Sequence, residues 1–269
     1  MPHPHQKKER HDLKQKKSLS QVFLKVTWPC EKVVSKLTSW SVSHVLEVGS
    51  GKGNLTDFLL NAGFKVTAIE KDTRFSDYLL ERFSSHIKTE QLQIINQDFL
   101  KCNLENWHEQ LPKNSISAIV GNIPYSISSL ILIKSLPMLQ PIVGLIFLVQ
   151  YEFAARLVAR PNSKEYGSLS VFSQLRSHIN LDHKVSKNCF SPVPKVDSAI
   201  VSFTPAPTKL PQDVLNSVEE LTRLSFNQRR KMLRNSLKSK IKTVIDFDLN
   251  RRPETLSPQE FIALSQLLN

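Results

Sequence analysis

Cysteine is scarce in this chain. Cys30, Cys102 and Cys189 are the only three in 269 residues, and none stands in a CxxC pair or near a histidine at metal-ligand spacing. A disulfide framework is excluded, no metal site is expected, and reduced, idle thiols in a reducing compartment are the reading. Long apolar runs are missing too. The longest, residues 127–136 and 142–149, fall well short of the ~20 residues that span a bilayer. The opening stretch MPHPHQKKERHDLKQKK is basic but holds no apolar core of the secretory type. A cytoplasmic protein with no membrane partner is expected.

Acidic residues are also in deficit: 24 Asp and Glu face 36 Lys and Arg, a net charge of +12. Such a balance favours a polyanionic partner, because each neutralised phosphate releases condensed counterions. A solvated lysine face would produce the same count. The apolar share of 40% is too high for a disordered chain, and the length suits a main domain with a smaller second one.

What is present is a βα alternation that begins at Ser43. Apolar runs at 44–48, 65–70, 92–96, 116–120 and 143–149 read as strands. Helices are expected at about 54–62, from the Asp72 cap to Phe83, and at 128–136, 151–159 and 168–178. Two further strands are expected near 182–185 and 198–203. Strands separated by helices imply an α/β fold, with a parallel sheet covered on both faces and right-handed crossovers. After Thr204 the segment PAPTKLP reads as a linker, and a Leu-, Arg- and Lys-rich helical pattern follows. The expected division is a flexible basic arm over 1–17, an α/β domain over 18–205 and a small α-helical domain over 206–269.

Glycine is rare as well. Of only seven, three are Gly49, Gly51 and Gly53, between the end of the first of these strands and the start of a helix. A tight turn alone would use them in the same way. Glu70 ends the next strand about 20 residues on, where a carboxylate can accept both hydroxyls of a ribose. Asp98 follows the third strand, placed to accept from an adenine amino group. The loop reads GSGKGN, not the GxGxxG of dinucleotide enzymes, and no pyrophosphate cradle is near. The pattern suits S-adenosylmethionine better than a nicotinamide cofactor.

After the fourth strand comes Gly121-Asn122-Ile123-Pro124-Tyr125. A Pro turn with a core Tyr would look alike. In register with the loop and both acids, however, the motif suits a planar amino group. The Asn122 side-chain oxygen and the Ile123 or Pro124 carbonyl can each accept one N–H, and Tyr125 can stack on a base.

On these residues the chain resembles the ribosomal RNA small-subunit adenine N6,N6-dimethyltransferase family. The resemblance runs through KKSLSQVFL, LEVGSGKGNLT, IEKD, QDFL, GNIPYSIS, YGSLSVF, CFSPVPKVDSAIV, FNQRRKMLRNSL and RPETLSPQEF, in that order. It implies a Rossmann-like methyltransferase sheet with a small C-terminal helical domain, and S-adenosylmethionine as methyl donor. The implied substrate is small-subunit ribosomal RNA, dimethylated at two adjacent adenines of its 3′-terminal hairpin in an assembling 30S particle, by a monomeric enzyme. Leu24, Gly49, Glu70, Asp98 and Asn122 would line the donor pocket. Asn122, Pro124 and Tyr125 would hold the target adenine, with Phe190 stacking on its other face. Phe190 precedes SPVPK, so a Pro-stiffened loop is expected to present it. Arg229, Arg230, Lys231 and Arg234 are expected on one or two helix faces with no acid close enough in sequence to pair them. They would form the RNA-backbone surface. Rival readings are the related large-subunit methyltransferase of the macrolide-resistance type and a non-catalytic ribosome-assembly factor. The chain departs from the family's KxxLGQNFL at Ser20 and Val22, where Gly and Asn are usual. A Val can offer the donor apolar contact alone, so weaker donor binding than the family's is expected.

Overall fold

The computed structural model describes residues 22–207 and 209–268. The basic arm expected over 1–17, and Ser20, lie outside the described residues.

A short strand β1 (Phe23–Leu24) precedes the main sheet, whose strands are β2 (His44–Val48), β3 (Lys65–Glu70), β4 (Leu92–Asn96), β5 (Ser117–Asn122), β6 (Gly144–Gln150), β7 (Ser177–Val185) and β9 (Ser198–Pro205). β8 (Phe190–Ser191) pairs with β1 in a separate antiparallel ribbon. The sheet order is β4-β3-β2-β5-β6-β9-β7. β2 through β6 run parallel, as the βα alternation predicts. The wholly parallel sheet is corrected at its far side, where β9 is antiparallel to both β6 and β7. Only residues 186–197 join β7 to β9, and that span carries no crossover helix, so the two strands form an antiparallel pair.

Helices α1 (Trp28–Ser39), α2 (Asn54–Asn61), α3 (Thr73–Arg82), α4 (Ser84–Lys88), α5 (Leu104–Glu109), α6 (Ser128–Ser135), α7 (Tyr151–Leu157) and α8 (Ser168–Gln174) surround the sheet. Alternation along the strands divides the core. Leu46, Val48, Ile69, Ile119 and Phe147 face one apolar cluster, while Val45, Val66, Ala118, Val120 and Ile146 face the other. α8 stops at Gln174, short of the expected His178, because β7 begins at Ser177 and turns Ile179 and Leu181 toward the first cluster.

The C-terminal segment carries α9 (Gln212–Asn227), α10 (Leu233–Ser236) and α11 (Pro258–Leu268). Its apolar cluster joins Leu221, Leu233, Phe261 and Leu264 to Ala159, Tyr166, Val171 and Leu175. The tail therefore packs on α8 and the loop before it. Between α9 and α11 the backbone outside α10 and a short 3-10 turn at Pro253–Thr255 is mostly turns and bends, so the expected helical pattern holds mainly at the two ends.

The chain runs outward from β2 through β3 to β4, then crosses to β5 on the other side of β2. Strand order reverses between β2 and β5, and the carboxyl ends of β2, β3 and β5 open on one edge. Open α/β sheets bind their ligands at such a switch point.

Candidate active site

At the end of β2 the chain turns through Gly49, Ser50 and Gly51 into α2. Gly51 has φ +54°, and a Cβ there would sit 2.7 Å from the Phe23 ring, so glycine is required twice over. The Gly51 N–H donates to Glu70 Oε2 at 2.8 Å, and the Asp72 N–H donates to Oε1 at 2.8 Å. The carboxylate that ends β3 is thus held by main-chain donors on both oxygens. Burial raises the Glu70 pKa above the ordinary carboxylate value, while the Asp72 and Gly51 donors pull it back down.

Asp98 stands two residues beyond β4. Its Oδ1 accepts the Leu100 N–H at 3.0 Å, and its Oδ2 pairs with Lys71 Nζ at 2.8 Å. The lysine holds its pKa below the usual value.

β5 delivers Asn122. A Cβ at Gly121 would come within 2.6 Å of the Val48 carbonyl, so only glycine lets the ends of β2 and β5 approach this closely. The Asn122 Nδ2 donates to the Val22 carbonyl at 2.9 Å. Its Oδ1 is buried and has no hydrogen-bond partner among the described residues. Such an orphaned acceptor costs about 1–3 kcal/mol unless a ligand meets it. The Pro124 carbonyl already accepts from the Ile127 N–H at 3.2 Å and the Ser128 hydroxyl at 3.0 Å. Of the two carbonyls expected from the sequence, that leaves Ile123 as the open acceptor. Tyr125 is half-buried, with its hydroxyl 2.6 Å from Ser198 Oγ, which fixes the ring beside β9.

Leu24, Gly49, Glu70, Asp98, Asn122 and Pro124 line one open cavity of about 220 Å³ at this edge. Glu47, Asn54 and Phe23 line it too and were not singled out from the sequence; Val22, singled out there for its departure from the family pattern, also lines it. Glu47 is buried, accepts the Thr56 hydroxyl at 2.6 Å, and is pushed up to about 7 by its burial. The signal for it was legible: an acid inside the apolar run HVLEV.

Tyr125 is not among the residues that line the cavity, although its neighbours Pro124 and Ser126 are; its expected role is on the target base, outside the donor pocket. Two expectations are corrected. Phe190 is not presented by its loop: it is 0% exposed, pairs with Leu24 and packs with Cys30, Val185 and Ile200. Burying a phenylalanine is worth ~1.5–3 kcal/mol, which holds the ring inside. Arg229, expected to be unpaired, is engaged within the protein and only partly exposed. Its Nε donates to Glu254 at 2.6 Å, its Nη1 to the Lys164 carbonyl at 2.6 Å and its Nη2 to the Ser163 carbonyl at 3.0 Å. Sequence distance hid that partner, which lies 25 residues away. Arg230, Lys231 and Arg234 are exposed, but Arg230 and Lys231 stand in the turn after α9 and only Arg234 is helical.

A family model described as Ribosomal RNA adenine dimethylase matches residues 12–252. The Ribosomal RNA small subunit methyltransferase A of Chlorobium phaeobacteroides (strain BS1) is 38% identical over 251 residues, 93% of this chain and 92% of that protein. The protein of the same name from Francisella tularensis subsp. novicida (strain U112) is 36% identical over 266 residues, 97% of this chain and all of its own. Among solved structures, a dimethyladenosine transferase from Plasmodium falciparum superposes with TM-score 0.69 at 24% identity, covering 91% of this chain and 96% of its own. The 23S rRNA methyltransferase ErmE superposes with TM-score 0.66 at 26% identity, covering 91% and 99%.

Proposed function

The chain belongs to the ribosomal RNA adenine dimethylase family, and from that premise we propose that it methylates two neighbouring adenines in the 3′-terminal hairpin of small-subunit RNA within an assembling 30S particle. It is an S-adenosylmethionine-dependent ribosomal RNA adenine dimethyltransferase, and each target N6 receives two methyl groups. The protein acts as a monomer in the cytoplasm.

The observation that carries the reading is Asn122 Oδ1, a buried acceptor left without a partner at the end of β5. An exocyclic amine supplies the donor this oxygen lacks. Asn122 Oδ1 accepts one N6–H and the Ile123 carbonyl accepts the other, which turns the nitrogen lone pair out of conjugation and toward the methyl group. Charge that develops on the nitrogen is met by the same two oxygens. The amine becomes strongly acidic as it takes on positive charge, so no strong general base is required. Tyr125, fixed by Ser198, offers its half-buried face to the purine.

The residues present fit the methyl donor. Glu70 presents its carboxylate to the ribose hydroxyls, and Asp98 accepts from the adenine amino group. Leu24 supplies apolar contact, and Gly49 brings the backbone close. When bound, S-adenosylmethionine supplies an electrophilic methyl group on a sulfonium. Residues 206–269 form the RNA-facing part, with Arg230, Lys231 and Arg234 on phosphates.

Primer-extension mapping of modified adenines on both ribosomal RNAs tests the proposal. Stops at two adjacent adenines near the small-subunit 3′ end support it. A stop on large-subunit RNA instead overturns the substrate assignment.

A further inference from the structure

The edge of β1 turned away from β8 is bound by two asparagine side chains. β1 is only two residues long, and Phe23 and Lys25 direct their main-chain groups to β8; the Lys25 N–H donates to the Cys189 carbonyl at 2.9 Å. Carbonyls two residues apart on a strand point to the same side. Those of Val22 and Leu24 face the opposite edge. There Asn54 Nδ2 donates to the Leu24 carbonyl at 2.5 Å, and Asn122 Nδ2 donates to the Val22 carbonyl at 2.9 Å.

We propose that Asn54 is a positioning residue for methyl transfer: it pins β1 through the Leu24 carbonyl, and β1 through the Val22 carbonyl fixes which way the Asn122 amide faces. This inference rests on the function proposed above and names a residue that acts without touching the target base.

A carboxamide can present either its oxygen or its nitrogen to a neighbour. The Val22 carbonyl can only accept, so it holds Nδ2 and leaves Oδ1 free. Turned over, Asn122 would bring two acceptors together and lose its bond, a preference of roughly ten- to a hundredfold for the observed orientation. A target amine needs that orientation, because it brings donors. The Val22 carbonyl is useful only while β1 stays in place, and a two-residue strand cannot hold itself. Phe23 helps by wedging its ring over Gly51 and packing edge-on against Phe75 at 5.5 Å. Asn54 contributes the polar tie on the same edge that Asn122 reads. As the first residue of α2, directly after the glycine loop, it also joins the placement of Asn122 to the loop that shapes the donor pocket.

The first test needs no variant. In ¹⁵N-asparagine-labelled protein, the side-chain NH₂ pair that disappears in Asn122→Ser should exchange slowly with solvent in the ligand-free wild type. Fast exchange there overturns the proposal. In Asn54→Ala and Asn54→Asp the same resonance should lose its protection. The single-turnover methylation rate at saturating RNA and donor should fall about tenfold, per active site titrated, with the KM for RNA unchanged. In an Asn122→Ala background the Asn54 substitution should cost nothing further. An Asn54 effect that adds fully to that of Asn122→Ala, or an unchanged Asn122 resonance, contradicts it. If the wild type methylates no RNA adenine, the functional reading fails, and the exchange experiment still decides whether Asn54 orients Asn122.

Discussion

Arg229→Gln should destabilise the protein and leave its RNA binding intact, the opposite of what a run of basic residues suggests. The guanidinium spends three of its five N–H donors on Glu254 Oε2 and on the carbonyls of Lys164 and Ser163, at 2.6, 2.6 and 3.0 Å. It thereby ties the loop between α7 and α8 to the turn before α11. Hydrogen bonds to a charged group are worth ~1.5–3 kcal/mol each, but they share one side chain and do not add in full. The Arg229 side chain is also 36% exposed and its ion-pair partner 28%, so solvent screening removes part of the pair's worth. A net loss of about 2–3 kcal/mol is expected, read as a lower urea midpoint with unchanged slope. Arg229→Lys should recover only part, because an ammonium cannot reproduce the planar fork. The RNA arm uses filter binding across a salt series. Arg229→Gln should leave the slope of log K against log salt unchanged, whereas Arg230, Lys231 and Arg234 changed together to Gln should flatten it by ~0.7–0.9 for each phosphate no longer neutralised. If Arg229→Gln keeps the wild-type midpoint and flattens the slope, the clamp assignment is wrong and Arg229 faces RNA.

Asn122→Ala should lower the single-turnover rate by ~10²–10³, the usual loss for one charge-stabilising acceptor, with donor affinity only modestly reduced; near-normal turnover contradicts its role. Glu47 is held near 7 against 4.5 in the unfolded chain, so between those values the folded state carries the extra proton and stability falls as pH rises. Glu47→Gln should remove that fall and gain roughly 3 kcal/mol at pH 8 over the wild type; denaturation midpoints with the same pH dependence in both proteins would refute the buried-acid reading. Val22 lines the cavity with an apolar side chain. Val22→Asn, which adds one neutral hydrogen bond, should therefore tighten S-adenosylmethionine two- to tenfold, and equal affinities in calorimetric titration would mean the missing bond is already compensated.

The parallel half of the sheet was legible because each strand is an apolar run bounded by turn residues, and the gathering of Gly49, Glu70, Asp98 and Asn122 at one cavity was legible because they fall at or just past strand ends. The rest depends on partners remote in sequence. β1 and β8 have no periodicity and exist through each other and the Asn54 and Asn122 amides. Phe190 reads as a loop aromatic until its pairing with Leu24 turns it inward. The acid that binds Arg229 lies beyond α10, so local charge spacing could not reveal it. The antiparallel β9 was hidden because its apolar run fits a buried strand of either direction.

Dimethylation of adenine in small-subunit RNA through Asn122 is read most directly by mass analysis of that RNA from cells lacking this protein, resupplied with the wild type or with Asn122→Ala. Two adjacent N6,N6-dimethyladenines near the 3′ end are expected with the wild type, and unmodified adenines with no protein or with Asn122→Ala. Dimethylation that persists without the protein, or that Asn122→Ala restores in full, would contradict this assignment.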